Sequence, residues 1–355
     1  MSTTASSTAA GTGSSAAGTG SLQLEYLSSH LMASQPSSWW QGVLGVVGFD
    51  KPPNLDRARI PVTASMVRSL CADDLCEVWR VASPEVRMSS GSEHGKIRYR
   101  YSDDLLFGSL LIAEQAIDAR SEAEALQRAT ESAYQEIFDL LDDTAHPHVI
   151  RIWNYLPNIN AQTGGDERYR HFNSARQMAF RKSGRATMGT VPAASALGSP
   201  AGSPLSIYFL AARRPPKMIE NPRQTSAYHY PPKFGRHSPI FSRACVWGES
   251  GGSRLFVSGT ASIVGHETIH RGDVIAQTRE TIVNIGALLE QANRIVGSSR
   301  YSLDGLKLKV YLRNSSDLPD VEATLAKLLQ PAASIVYLQA DVCREDLLVE
   351  IEAVG

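Results

Sequence analysis

The chain has 355 residues, 43% of them hydrophobic and 20% charged, which is enough apolar material for the cores of about two domains. A formal net charge of -1 supplies no global field to draw in nucleic acid or an anionic membrane, so any bound anion has to be held by a few local arginines. No apolar run approaches the roughly 20 residues of a membrane span, and the scattered Cys71, Cys76, Cys245 and Cys343 read as reduced thiols of a cytoplasmic protein rather than as a zinc site.

The first twenty residues are almost wholly Ser, Thr, Ala and Gly. They lack the basic start and apolar core of a secretory signal and the arginines of a transit peptide. Residues 1–22 are therefore expected to form a disordered tail. Residues 23–156 are expected to form a first domain. Within it Leu105–Ile112 (LLFGSLLI) is an apolar, strand-like run with Gly108 at its middle. In Ala123–Leu141 the residues Leu126, Ala129, Ala133, Ile137, Leu140 and Leu141 fall at helical spacing. Val149–Leu156 (VIRIWNYL) then reads as a closing strand.

Residues 157–243 differ in character, being rich in Arg, Tyr, Asn, Pro and Gly. Ser183–Pro204 is small and polar, like a linker. Pro192 to Gly198, however, carries a proline suited to a first helical turn and a glycine suited to a stop, so a short helix and a loop both fit. The segment is expected to be an insertion whose loops carry functional residues.

Residues 244–355 repeat the first pattern. Phe256–Ile263 (FVSGTASI) places Gly259 where the first copy has Gly108, and Ala276–Leu289 repeats the amphipathic stretch through Thr281, Ile282, Ile285, Leu288 and Leu289. In the second closing strand, Leu306–Leu312, Tyr311-Leu312 matches Tyr155-Leu156, and Asn314 matches Asn158. Alternation puts Leu306, Leu308 and Val310 on one face and Lys307 and Lys309 on the other. An apolar Ala333–Leu338 run and a terminal strand, Leu347–Val354, follow. Strand, helix and strand recurring in one order predict an α+β protein of two fused domains, each a mixed sheet covered by helices.

Glu350 and Glu352 share one face of the terminal strand, opposite Val349 and Ile351. On alternation alone this is the solvated face of an edge strand. His266 and His270 are four apart in a Gly-rich setting that does not read as a helix, and no HExxH set supports a metal. No Gly-rich phosphate loop joins a strand to a helix, so no nucleotide cofactor is expected either.

The C-terminal copy resembles the YjgF/RidA family of small trimeric imine deaminases, through Leu255–Gly259 (LFVSG), Gly272 to Thr278 (GDVIAQT), Asn284 and Leu348 to Ala353 (LVEIEA). The whole chain beyond the tail resembles something narrower, the chorismatases. The residues that carry this are Arg151 to Tyr155 (RIWNY) with Asn158 to Asn160, then Arg168 to Asn173 (RYRHFN) with Arg176. Val191 to Gly198 (VPAASALG), Ser206 to Phe209, Asn221 to Gln224 (NPRQ), Tyr228 to Tyr230 and Cys343 to Glu352 complete the set. Within that family it is most similar to the bacterial enzymes making 3- and 4-hydroxybenzoate for aryl polyene pigments such as xanthomonadin and for ubiquinone, as in xanthomonads.

The resemblance implies two fused RidA-like domains and an enzyme, a cofactor-independent lyase that splits chorismate into pyruvate and 3-hydroxybenzoate, with 4-hydroxybenzoate as a second possible product. Chorismate carries two carboxylates, and arginine grips carboxylate through paired N–H groups. The family pattern of a Tyr with an Arg seven later, and of a Tyr with an Arg thirteen later, implies Tyr169 with Arg176 and Tyr230 with Arg243 as substrate-binding residues. Without the resemblance, the same Arg and Tyr richness equally describes a solvated surface. Arg313, just after a strand, reads as either a pocket residue or a surface arginine at a turn. In the family the first of the paired glutamates faces the cleft, which implies Glu350 as the acid that protonates the enol ether. Gly259 and Cys343 are implied to set which product forms; nucleophile, proton relay and spacer all remain open for Cys343. Two other functions fit the scaffold: a RidA-type imine deaminase and a non-catalytic small-anion-binding module. The expected partner is chorismate alone, with no nucleic acid and no membrane, in a monomer or a trimer.

Overall fold

The computed structural model describes residues 21–355 apart from 56, 58, 72–73, 83–93, 250–251 and 332. Three sheets carry the fold. The first has four strands in the order Ser21–Ser28, Leu75–Ala82, Val43–Gly48, Val62–Ala64. The second has five, in the order Ala193–Ser199, His148–Pro157, Leu205–Ala212, Leu105–Ile112, Arg98–Tyr101. The third has seven: Lys217–Ile219, Ala244–Trp247, Arg254–Ala261, Val349–Val354, Lys307–Leu312, Ser334–Gln339 and Arg68–Ser69. Both larger sheets are mixed, because Ala193–Ser199 runs parallel to His148–Pro157 and Ser334–Gln339 runs parallel to Lys307–Leu312.

Each larger sheet is covered on one face by helices, as its repeat pattern predicts. Glu122–Asp143, capped by Ser121, and Arg168–Lys182 pack on the five-stranded sheet, burying Leu126, Ile137, Phe138 and Phe172 against Ile152, Leu156, Ile207 and Phe209. Val274–Val296, capped by Asp273 and closed by the left-handed Gly297, packs with Leu318–Leu328 on the seven-stranded sheet. The opposite faces of the two sheets meet in a second core, where Trp153, Tyr155 and Tyr208 face Phe256 and Tyr311. The four-stranded sheet closes this core with Leu24, Leu44, Val47 and Trp79. No helix among the described residues is long and apolar enough to cross a membrane.

The two glycines matched in the repeat occupy equivalent strands but serve different neighbours. A Cβ on Gly108 would lie 2.3 Å from the ring of Phe209, on the adjacent strand. A Cβ on Gly259 would lie 1.9 Å from Oε1 of Glu350, again on the adjacent strand. The matched tyrosines meet across the core, with Tyr155 Oη 2.7 Å from Tyr311 Oη.

Several expectations change. The first strand begins at Ser21 and Leu22 is buried in the core, so residues 21–22 do not belong to the tail; residues 1–20 of that tail lie outside the described residues. Pro192 to Gly198 is neither helix nor loop. Its small side chains let Ala193–Ser199 approach the strand Arg254–Ala261 of the other sheet, where the Ala194 N–H donates to Ser258 Oγ at 3.0 Å. The segment 157–243 is not an insertion hung on a finished domain, since it supplies two of the five strands and one covering helix of the first large sheet. Glu350 and Glu352 lie on an interior strand, paired on both sides, and both are buried.

Behind Glu350 the core holds charge. Glu352 pairs with Arg151 at 2.5 Å and with Lys309 at 2.6 Å, and Lys309 also pairs with Glu77 at 2.6 Å. Ser195 Oγ, Trp153 Nε1 and Tyr311 Oη each donate to Glu352. Removing one member of such a set leaves an uncompensated buried charge. Lys309→Met, which leaves Glu77 and Glu352 facing each other, is expected to lower unfolding stability by about 3–5 kcal/mol, measured by denaturant titration.

Candidate active site

A cavity of about 540 Å³ opens where the 157–243 segment lies over the strand pair Arg254–Ala261 and Val349–Val354. Tyr169, Tyr230, Phe241, Arg243, Gly259, Cys343, Arg344 and Glu350 are among the residues on its wall. A narrow recess of about 30 Å³ continues inward past Gly259, Cys343 and Glu350 to Arg176, Asn173 and Ser195. Seven of the eight residues singled out from the sequence therefore converge on one connected space.

Glu350 stands at the junction of chamber and recess. It is 4% exposed and, unlike Glu352, has no ion-pair partner among the described residues. The backbone of Gly259 provides the space in which its carboxyl group rests, as the 1.9 Å clearance to a Cβ there shows. Burial, reinforced by the like charge of Glu352, pushes the Glu350 carboxyl up to about 8 against the weaker pull of Arg151 and Arg243. Glu352 goes the other way. Burial opposes its ionisation, but Lys309 and Arg151 hold it down at about 2. Two carboxylates two residues apart are thus divided into a fixed anion and a proton carrier.

Arg176, 3% exposed, reaches the recess from the helix Arg168–Lys182. Its guanidinium rests 5.1 Å from the Tyr134 ring centroid and 5.4 Å from that of Phe180, while Nε and Nη2 are buried without a partner. Arg243, also 3% exposed, donates from Nη2 to the Thr225 carbonyl at 2.7 Å and to Tyr230 Oη at 2.8 Å, which leaves its Nε unpartnered. Buried donors left open are costly, and a ligand oxygen satisfies them. Cys343 is partly buried on the cavity wall, and burial together with Glu350 pushes its thiol up to about 12. Both effects disfavour the thiolate, the nucleophilic form of a cysteine.

Arg313 is the exception. Its side chain is spent on the 341–347 turn: Nε donates to the Leu347 carbonyl, Nη1 to Asp341 and Asn160, and Nη2 to the carbonyls of Val342 and Arg344. It does not line the cavity and holds the turn that presents Cys343. Sequence reasoning missed Arg344 on the wall and the set Arg151, Ser195, Lys309 and Glu77 behind Glu350. Arg344 directly follows Cys343, which was the available signal; the supporting charges come from strands far apart in sequence. Arg313→Met is expected to lower stability by about 2 kcal/mol, in line with the loss of charge-assisted hydrogen bonds. It should also speed amide hydrogen exchange selectively at residues 341–347, as followed by mass spectrometry.

The family model "Chorismatase FkbO/Hyg5-like, N-terminal" matches residues 77–211. A 3-hydroxybenzoate synthase of Streptomyces hygroscopicus is 36% identical over 88% of this chain and 92% of its own length. A chorismatase of Streptomyces rapamycinicus is 35% identical over 83% of this chain and 86% of its own length. A crystal structure of a chorismatase superposes with a TM-score of 0.82 at 31% identity, covering 96% of this chain and 99% of that one. A RutC family protein of Pyrococcus horikoshii is 32% identical over 29% of this chain and 79% of its own length. With its three sheets, its buried acid and a full-length likeness in both sequence and structure, the chain belongs to the chorismatase family.

Proposed function

We propose that this enzyme converts chorismate to pyruvate and 3-hydroxybenzoate, with Glu350 as the general acid. The observation that carries the reading is a buried carboxyl group that keeps its proton at neutral pH, set between open guanidinium donors on either side of one cavity.

The recess at Arg176 is far smaller than the chamber, about 30 Å³ against about 540 Å³, which favours a carboxylate there and the ring outside. The enolpyruvyl carboxylate fits there, because the methylene to be protonated then sits one carbon away, beside Glu350. The ring occupies the larger chamber, on the side of Arg243 and Tyr230. Glu350 gives its proton to the methylene carbon, which becomes a methyl group, and positive charge develops on the ether carbon and oxygen. The bond from the ring to that oxygen then breaks, its electron pair going to oxygen, and the oxygen leaves as the carbonyl of pyruvate. The ring loses one proton to become aromatic, which balances the proton supplied. Chorismate is thereby divided with nothing added, so the chemistry calls for neither oxidant nor water.

The hydroxyl group remaining on the ring gives 4-hydroxybenzoate if it stays in place and 3-hydroxybenzoate if it moves to the adjacent carbon. Gly259 and Cys343 border the space in which this happens, and Gly259 also fixes where the acid lies. An alanine there forces the Glu350 carboxyl aside. Gly259→Ala and Cys343→Ala are each expected to change the ratio of aromatic products relative to pyruvate, read by chromatography; an unchanged ratio in both would remove these residues from product control.

The decisive assay is chorismate consumption by purified protein, with pyruvate and hydroxybenzoates quantified together. Equal amounts of pyruvate and 3-hydroxybenzoate support the reading, and a folded sample yielding no pyruvate refutes it. The acid works in its protonated form, which predominates below about 8. The value of kcat/KM is therefore expected to stay level through neutrality and to fall about tenfold per pH unit above that point. Glu350→Gln keeps the shape but has no carboxyl proton to give. It should retain binding and lose about 10²-fold or more in kcat, the usual scale of general acid catalysis.

A further inference from the structure

Arg344 projects from the turn held by Arg313 onto the chamber wall, beside Cys343. Its guanidinium carbon lies 4.0 Å from the Phe234 ring centroid and 5.1 Å from that of Tyr230. Nη1 is anchored by the His266 carbonyl at 2.9 Å and by Thr268 Oγ1 at 3.3 Å, whereas Nη2 is buried and has no partner. Arg243 lies 5.5 Å from the same Tyr230 ring, with its own Nε open.

Among the described residues neither arginine makes an ion pair. Elsewhere around the mouth the cations are matched, Lys233 with Glu267, Arg271 with Asp346, and Arg170 with Asp166 and Glu167. Two guanidinium groups held against one aromatic ring repel each other and leave donors desolvated, and both costs are relieved by one anion between them. Cation–π contact with the rings restrains each guanidinium, which lowers the cost of holding it for a carboxylate.

We infer that Arg344 is a substrate-binding residue that, together with Arg243, holds the ring carboxylate of chorismate and so sets which way round the substrate lies. This rests on chorismate being the substrate. With Arg176 at the enolpyruvyl carboxylate, the cavity then has separate cation sites for the two anionic ends, and Glu350 lies between them. A substrate lacking the ring carboxylate would bring no acceptor to the open donors of Arg243 and Arg344, whose charges otherwise act on Glu220 and Glu267 without pairing with them.

The two products separate the two sites, because 3-hydroxybenzoate carries the ring carboxylate and pyruvate carries the other. Arg344→Lys keeps the charge and tests the fork geometry, and Arg344→Met removes the charge. Loss of a charge-assisted hydrogen bond corresponds to about a tenfold weakening or more. The expected result is a KM for chorismate raised about tenfold in Arg344→Lys and further in Arg344→Met, on that same scale, with kcat nearly unchanged. The inhibition constant for 3-hydroxybenzoate should rise with KM, while that for pyruvate stays at the wild-type value. An unchanged inhibition constant for 3-hydroxybenzoate in both variants overturns the inference. So does an equal rise for both products in Arg344→Lys with a lowered melting temperature, which would make Arg344 a strut for the hairpin in which Ile263–Val264 pairs with Glu267–Thr268. Wild-type protein that releases no pyruvate refutes the chorismatase reading itself, a result distinct from active wild type with unaltered variants.

Discussion

Four side chains of alternating sign, Glu77, Lys309, Glu352 and Arg151, run through the place where the three sheets meet. Glu77 comes from the four-stranded sheet, Arg151 from the five-stranded one, and Lys309 and Glu352 from neighbouring strands of the seven-stranded one. Each is almost fully buried, so each depends on its neighbours to stay charged. The sheets therefore cannot slide past one another without stripping an ion of its partner. Greasy contacts alone tolerate such shifts more readily, being non-directional.

The same set of charges reaches Glu350, two residues along the strand from Glu352. Glu352 is fixed as an anion by two cations and three hydrogen-bond donors. Its permanent charge adds to burial in keeping the Glu350 proton in place. Glu350 has no ion-pair partner among the described residues, and its carboxyl group rests where Gly259 lacks a side chain. A fully paired carboxylate thus stands directly behind one that has no ion-pair partner among the described residues, and the contrast between them comes from their neighbours.

Much of this was legible in the sequence, and the limits have physical causes. The helices, the glycine-centred strands and the closing strands follow from periodicity, because a covering helix and a half-buried strand each show one apolar face. Alternation also placed Glu350 and Glu352 on one face correctly. It assigned that face to solvent, because the rule that polar means exposed fails where a lysine on the neighbouring strand and an arginine from another sheet pair with the carboxylate. Ala193–Ser199 was misread for a related reason. Its alanines and serine carry little propensity of their own, and its strand character comes from parallel pairing with residues 151–157. Arg313 could not be resolved, since a strand-end arginine looks the same whether it points at a pocket or ties down a turn.

The divergence at the matched glycines bears on how many sites the molecule has. In the first copy the hollow over Gly108 is filled by the Phe209 ring, sealed into the core beneath the covering helices. In the second copy the hollow over Gly259 receives a carboxyl group and opens to the chamber. The two copies of the pattern therefore differ at this position, and only the second opens its hollow to the chamber. The second copy carries Glu350 together with Gly259, Cys343, Arg344, Lys309 and Glu352, and the chain before it contributes Arg151, the recess residue Arg176 and the rest of the wall. Each chain is then expected to titrate with a single equivalent of a tight-binding inhibitor, whatever number of chains assemble.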